Sequence, residues 1–228
     1  MFEFKQYQIG EKPQNLVIFL HGYNGNLEDH QYAVDWLQKY LRAAILITPQ
    51  AADACDKNPQ KRQWFGMQKY DVENKRSLPT TTIADIFAIY NAAAEEIAVC
   101  ARKINAFIDE QQQIYGIDDA HTFLLGFSQG AMLTIYAALS RHAKLGAAFA
   151  FSGLVAGEDL LAQNINSYPP LYMFHGVEDL KVQYKTLDTS IEWLRAHHLK
   201  VRQKIYPELM HRMNENEIRT AAQIINGA

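Results

Sequence analysis

Leu16-Val17-Ile18-Phe19-Leu20 is apolar at every position. A strand with one wet face alternates polar and apolar residues, so an unbroken apolar run reads as a strand buried on both faces. Residues 43–47, 122–127, 145–151 and 171–174 read in the same way, and 201–206 reads as a sixth strand. Between them lie stretches with helical spacing. Residues 29–42 carry Tyr32, Val34, Trp36, Leu37, Tyr40 and Leu41, and residues 92–115 carry Ile97, Cys100, Ile104, Ile108 and Ile114. Residues 129–142, 184–198 and 214–225 are the other helical stretches, and Gly116 sits where a helix stop belongs. Strand and helix alternate almost throughout. That order predicts an α/β fold, a mainly parallel sheet flanked by helices on both faces.

Residues 2–9 alternate and add an expected antiparallel edge strand. Residues 49–81, punctuated by Pro49, Pro59, Gly66 and Pro79, read as a long irregular loop, and loops of that length are usually functional or partly structured. Only 18 residues, 152–169, separate the fourth strand from the fifth, which leaves no room for a large cap domain. At 228 residues the chain reads as one α/β domain over 1–228.

Charge and cysteine content exclude several classes. Lys+Arg is 22 and Asp+Glu is 25, a net charge of −3, with no basic window, which argues against a nucleic-acid binder. Cys55 and Cys100 fit no zinc or redox spacing and read as free thiols in a reducing compartment. No basic stretch followed by an apolar one opens the chain, and no apolar run approaches the ~18 residues of a membrane span. The expected location is the cytoplasm. No H-E-x-x-H or G-x-x-x-x-G-K pattern appears, so no metal or phosphate-binding loop is expected.

In a mainly parallel sheet, ligands bind beyond the carboxyl ends of the strands. The third strand ends in Gly126-Phe127-Ser128-Gln129-Gly130, directly before a helix. A serine on such a turn is held in a strained conformation with its hydroxyl presented. The helix N-terminus behind it favours the negative charge of a tetrahedral intermediate. Serine needs a base, and in this architecture the chain order is Ser, then Asp or Glu, then His. Five histidines follow Ser128, and the first of them, His142, ends the helix that Gln129 opens. His175 precedes any suitable acid, and His197 and His198 close a helix on the far side. His211 lies after the sixth strand, on the strand-end side where Ser128 sits, and is the expected base. The acid belongs to the loop after the fifth strand, where Glu178 and Asp179 are adjacent and spacing does not separate them. The first strand ends in His21-Gly22-Tyr23-Asn24-Gly25, a loop able to aim a backbone N–H at an oxyanion; the second N–H would come from Gln129.

These residues resemble the phospholipase/carboxylesterase family of small serine carboxylesterases, which includes acyl-protein thioesterases and belongs to the α/β-hydrolase superfamily. The resemblance rests on Gly126-Phe127-Ser128-Gln129-Gly130-Ala131, His21-Gly22, Trp64-Phe65, and His175-Gly176-x-x-Asp179 with Val182, and spans residues 16–211. It implies Ser128 as nucleophile, Asp179 rather than Glu178 as orienting acid, and His211 as base. It places Tyr23 and Gln129 as oxyanion-hole donors, and implies hydrolysis of carboxylic esters or thioesters without a cofactor. Tyr23 and Asn24 stand where the family often has Leu and Gly, Gln183 where it often has Pro, and Met210 where Gly usually precedes the histidine. Trp64, Phe65 and Met67 are candidates to line an acyl pocket, with packing onto the core as the alternative. The expected partner is a small ester or thioester, or an acylated protein. The competing readings are a peptidase or other amide hydrolase on the same scaffold, and a non-catalytic binding protein.

Overall fold

A computed structural model of the chain describes residues 2–228. Its elements, in chain order, are β1 (Phe4–Ile9), β2 (Asn15–Leu20), α1 (Gln31–Tyr40), β3 (Ala44–Pro49), β4 (Asp53–Ala54) and β5 (Arg62–Gln63). There follow α2 (Ile83–Ala92), α3 (Ala94–Tyr115), β6 (Thr122–Phe127), α4 (Gln129–Ser140), β7 (Ala147–Phe151) and α5 (Glu158–Ala162). The chain closes with β8 (Leu171–Gly176), α6 (Thr186–Ala196), β9 (Val201–Tyr206) and α7 (Glu215–Ile225).

Seven strands form one sheet in the order β1-β3-β2-β6-β7-β8-β9. All neighbours are parallel except β1, which runs antiparallel to β3 at the edge as its alternation predicts. The reason the apolar runs lack a polar break is visible in β2. Leu16, Ile18 and Leu20 enter the core under α2–α6, while Val17 and Phe19 enter the core under α1 and α7. Successive side chains point to opposite faces, and both faces are covered. Among the described residues no large cap separates the strand ends from solvent; the 152–169 segment contributes only α5.

The chain moves from β2 outward to β3 and then returns to β6 on the other side of β2. The connections leaving neighbouring β2 and β6 thus run to opposite sides, to β3 and to β7, and α/β sheets open a crevice at such a point. Two predicted boundaries differ. The helix expected over 92–115 begins at Ala94, and a separate helix, α2, precedes it with Thr82 as its N-cap, accepting from the Asp85 N–H at 3.1 Å. The long loop is partly structured, since β4 and β5 pair within it. Cys55 and Cys100 are both free and buried.

Candidate active site

Ser128 joins β6 to α4 with φ 55° and ψ −117°, a conformation that is costly for a residue bearing a Cβ. The backbone is held there by the Ser128 N–H, which donates to the Phe151 carbonyl at 2.9 Å. The flanking glycines are a packing requirement. A Cβ at position 126 would lie 2.3 Å from the Gly130 carbonyl oxygen, and one at position 130 would lie 2.4 Å from the Leu20 carbonyl oxygen. The turn is therefore pressed against the end of β2, which brings the His21-Gly22 loop beside the serine.

The loop after β9 carries His211 to the same point. Its Nε2 lies 3.0 Å from the Ser128 Oγ, and its Nδ1 lies 2.7 Å from the Asp179 Oδ2. A carboxylate only accepts, so the imidazole proton sits on Nδ1 and leaves Nε2 to accept from the serine hydroxyl. The Phe127 ring packs beside the imidazole at 4.8 Å between centroids and limits its tilt. Asp179 is buried, and its other oxygen accepts the N–H groups of Lys181 at 2.9 Å and Val182 at 3.0 Å. Glu178 is exposed and points elsewhere, so burial separates the two carboxylates that spacing does not. His175 is buried beneath the acid and donates from Nε2 to the Val182 carbonyl at 2.9 Å; burial lowers its pKa despite Asp179 nearby.

In the segment between β2 and α1, His21 and His30 are neutral, each pushed down to about 4 chiefly by burial. The Ala51 N–H donates to the His21 Nε2 at 3.1 Å, so the His21 proton lies on Nδ1, facing the Gly22 carbonyl at 2.8 Å. The Gly22 N–H donates to the His30 Nε2 at 3.3 Å, which shapes the bend that leads into Tyr23. The Gln129 N–H opens α4 and has no carbonyl acceptor within that helix.

A cavity of about 240 Å³ opens over Ser128, Gln129 and His211. Buried Met67, Tyr90, Met132 and Val182 form its floor. Of the three residues expected to line an acyl pocket, Met67 faces this cavity, whereas Trp64 and Phe65 do not. Those two are core residues because the loop is latched there by the backbone. The Gln129 Oε1 accepts the Trp64 N–H at 2.9 Å, its Nε2 donates to the Phe65 carbonyl at 2.7 Å, and the Trp64 indole N–H donates to the His21 carbonyl at 2.7 Å. Gln129 thus has a side-chain task that its place after the serine does not reveal.

A second latch leaves no pattern in the sequence. Asp56 accepts the N–H groups of Met67 at 2.8 Å and Gln68 at 2.7 Å, together with the Tyr23 hydroxyl. Burial alone would raise the Asp56 carboxyl, but these donors outweigh it and hold it below the usual carboxylate range. Burial, then the bond to Asp56, pushes the Tyr23 phenol up, so it stays protonated. The Arg76 guanidinium lies over the Tyr23 ring at 5.8 Å and pairs with buried Asp71 at 2.6 Å. Among the described residues no group of three or more His, Cys, Asp or Glu side chains is arranged to hold a metal ion, and no helix is long and apolar enough to cross a membrane.

Comparison with known proteins adds to this geometry. Residues 7–227 match the family model described as phospholipase/carboxylesterase. Acyl-protein thioesterase 1 of Kluyveromyces lactis is 28% identical over 182 residues, covering 75% of this chain and 73% of that protein. Esterase YpfH of Escherichia coli is 24% identical over 173 residues, covering 75% of this chain and 65% of that protein. The crystal structure of esterase PE8 superimposes with a TM-score of 0.83 at 25% identity, covering 99% of this chain and 98% of that one. Arabidopsis thaliana SOBER1 superimposes at 0.76 with 18% identity, covering 94% and 98%, a likeness of fold.

Proposed function

The chain belongs to the phospholipase/carboxylesterase family, whose members here are esterases and thioesterases on an α/β-hydrolase fold, and from that premise we propose that it hydrolyses carboxylic esters or thioesters through an acyl-enzyme on Ser128. The observation that carries the proposal is the continuous hydrogen-bonded line from Ser128 Oγ through the His211 ring to Asp179. His211 Nε2 takes the serine proton as Oγ bonds to the acyl carbon, and the carbonyl electron pair moves onto oxygen. Asp179 fixes the tautomer and stabilises the imidazolium without itself taking the proton. The N–H groups of Tyr23 and Gln129 are the assigned donors to the oxyanion. As the intermediate collapses, the bond to the alkoxide or thiolate breaks and His211 returns its proton to that leaving group. Water then attacks the acyl-enzyme, giving its proton to His211, and the acid leaves as Ser128 recovers a proton.

The cavity supports a short acyl group. Its 240 Å³ is below the ~300–1,000 Å³ typical of pockets for drug-sized ligands. The test is hydrolysis of p-nitrophenyl esters from acetate to palmitate by the native chain and by Ser128→Ala. The expected result is turnover weighted to short chains and abolished in the variant. Full activity in Ser128→Ala would remove the assignment, and turnover confined to peptide amides would favour the peptidase reading. An acylated protein remains within the substrate class this scaffold serves, with the short-chain limit set by the cavity floor.

A further inference from the structure

The residues around the cavity divide by depth. Met67, Tyr90, Met132 and Val182 are buried at the floor, whereas Asn24, Lys57, Asn74 and Lys181 are exposed at the mouth. No Asp or Glu lines the cavity, although the chain as a whole carries a net charge of −3. Three nearby carboxylates have partners in the wall behind the cavity. Asp71 pairs with Arg76, Asp56 accepts from Tyr23, Met67 and Gln68, and Asp179 accepts from His211. Arg76 is neutralised by Asp71, and Asp56 and Asp179 keep their charges but do not line the cavity, so Lys57 and Lys181 are the cations at the mouth itself that lack an ion-pair partner. Neither forms an ion pair among the described residues. They belong to different loops, Lys57 after β4 and Lys181 beside the acid.

From this arrangement we infer that the preferred substrates are short-acyl esters or thioesters whose leaving group bears an anion, a carboxylate or a phosphate, held at the mouth by Lys57 and Lys181. The inference rests on the hydrolase reading of the same pocket. The short acyl chain occupies the apolar floor beyond Ser128, so the leaving group points outward, toward the lysines. Unpaired cations around an apolar cleft raise the local concentration of anions and are screened by salt.

The test compares kcat/KM for phenyl butyrate, para-carboxyphenyl butyrate, the corresponding phosphate ester, and butyrylcholine. At low salt the anionic esters are expected to be favoured over the neutral one by about fivefold, the scale of two exposed ion pairs, and the cationic ester disfavoured. The ratio should fall as salt rises and collapse in the Lys57→Gln/Lys181→Gln double variant. Lys200→Gln, exposed just before β9 at the opposite end of the sheet, should leave the ratio as it is. A stronger response to the carboxylate or to the phosphate identifies which anion the mouth takes. Turnover of neutral and anionic esters at equal rates at low salt, or an unchanged ratio in the double variant, overturns the inference while leaving the hydrolase standing. If no ester turns over, the hydrolase reading fails, and the affinity of Ser128→Ala for para-carboxyphenyl over neutral phenyl butyrate still decides the lysines' role by calorimetry.

Discussion

Two regions enclose the cavity, and they are held by different means. The strand-end side places Ser128, Asp179 and His211 on loops that leave β6, β8 and β9 directly, so the sheet fixes their starting points. Its constraints are largely main-chain bonds at the strand ends, the Ser128 N–H on the Phe151 carbonyl, the Ser152 N–H on the Phe174 carbonyl and the Val177 N–H on the Tyr206 carbonyl, to which one side chain, Asp179, adds the N–H groups of Lys181 and Val182. The other side, residues 50–82, has two short strands and no helix longer than a single 3-10 turn. It is held by side chains reaching to its backbone. Gln129 holds Trp64 and Phe65, Asp56 holds Met67 and Gln68, Asp71 holds the N–H groups of Lys75 and Arg76, and the Gln183 amide donates to the carbonyls of Arg76 and Leu78. The first arrangement suits chemistry, which tolerates little displacement. The second suits substrate selection, because each latch is one side chain.

The sharpest separation between the regions is kinetic. Asp179→Asn keeps the shape of the strand-end site but lets the wrong His211 tautomer form, and kcat for a short neutral ester should fall by ~10⁴ while the unfolding midpoint moves little. An Asp179→Asn protein with near-native kcat would break the division.

Next in size is the latch between the regions. Gln129→Ala leaves the Trp64 N–H and the Phe65 carbonyl buried without partners, at a cost on the order of 1–3 kcal/mol. Denaturant unfolding should register that loss, and limited proteolysis should cut first within residues 50–82. Asp56→Ala acts on the loop alone. Its loss should lower stability by roughly 1–2 kcal/mol and change kcat/KM far less than Asp179→Asn does. A kcat loss equal to that of Asp179→Asn would show that the loop is part of the chemical apparatus.

The smallest expected effect concerns Glu217, which closes a capping box with Asn214 at the start of α7, just beyond His211. Its side chain is buried with Oε1 unpartnered, and burial raises its pKa to about 7. The folded state therefore binds the proton more tightly than the unfolded chain does. Stability from this group is full below the ordinary carboxylate range and is lost as pH rises through about 7. Glu217→Gln keeps the cap acceptor and removes the titration, so it should stabilise the protein by about 1–2 kcal/mol at pH 8 and hardly at all at pH 4. His21 and His30 act in the opposite direction. Their pKa values near 4 lie below the ordinary one, so the stability they bring is lost as pH falls from about 6.5 toward 4. Chemical denaturation across this range separates the two contributions.

The same division explains what the sequence revealed. Unbroken apolar runs identify the parallel strands because burial on both faces leaves no choice of residue, and the strand-to-helix position of Ser128 together with chain order leads to His211. Asp179 and Glu178 were inseparable by spacing because only the folded turn decides which is buried; the family resemblance supplied the choice. The loop was harder. Asp56 sits in Cys55-Asp56-Lys57-Asn58-Pro59, which reads as any polar turn, and its partners Tyr23 and Met67 are 33 and 11 residues away. Trp64 and Phe65 are open to both readings, pocket and core, because an aromatic pair in a loop carries no period to say which way it faces. The helix α2 did carry a signal. Thr82 with Asp85 three residues later marks its N-terminus, and Ile86, Phe87 and Tyr90 mark its buried side.

The most direct test of the acyl-enzyme on Ser128 is mass spectrometry of the protein quenched in acid during turnover of a short p-nitrophenyl ester. The account predicts a mass increase equal to the acyl group, located on the peptide that contains Ser128. It should be absent in Ser128→Ala and should form far more slowly in His211→Ala. Steady turnover of the ester by Ser128→Ala, or an acyl group located on another residue, would contradict it.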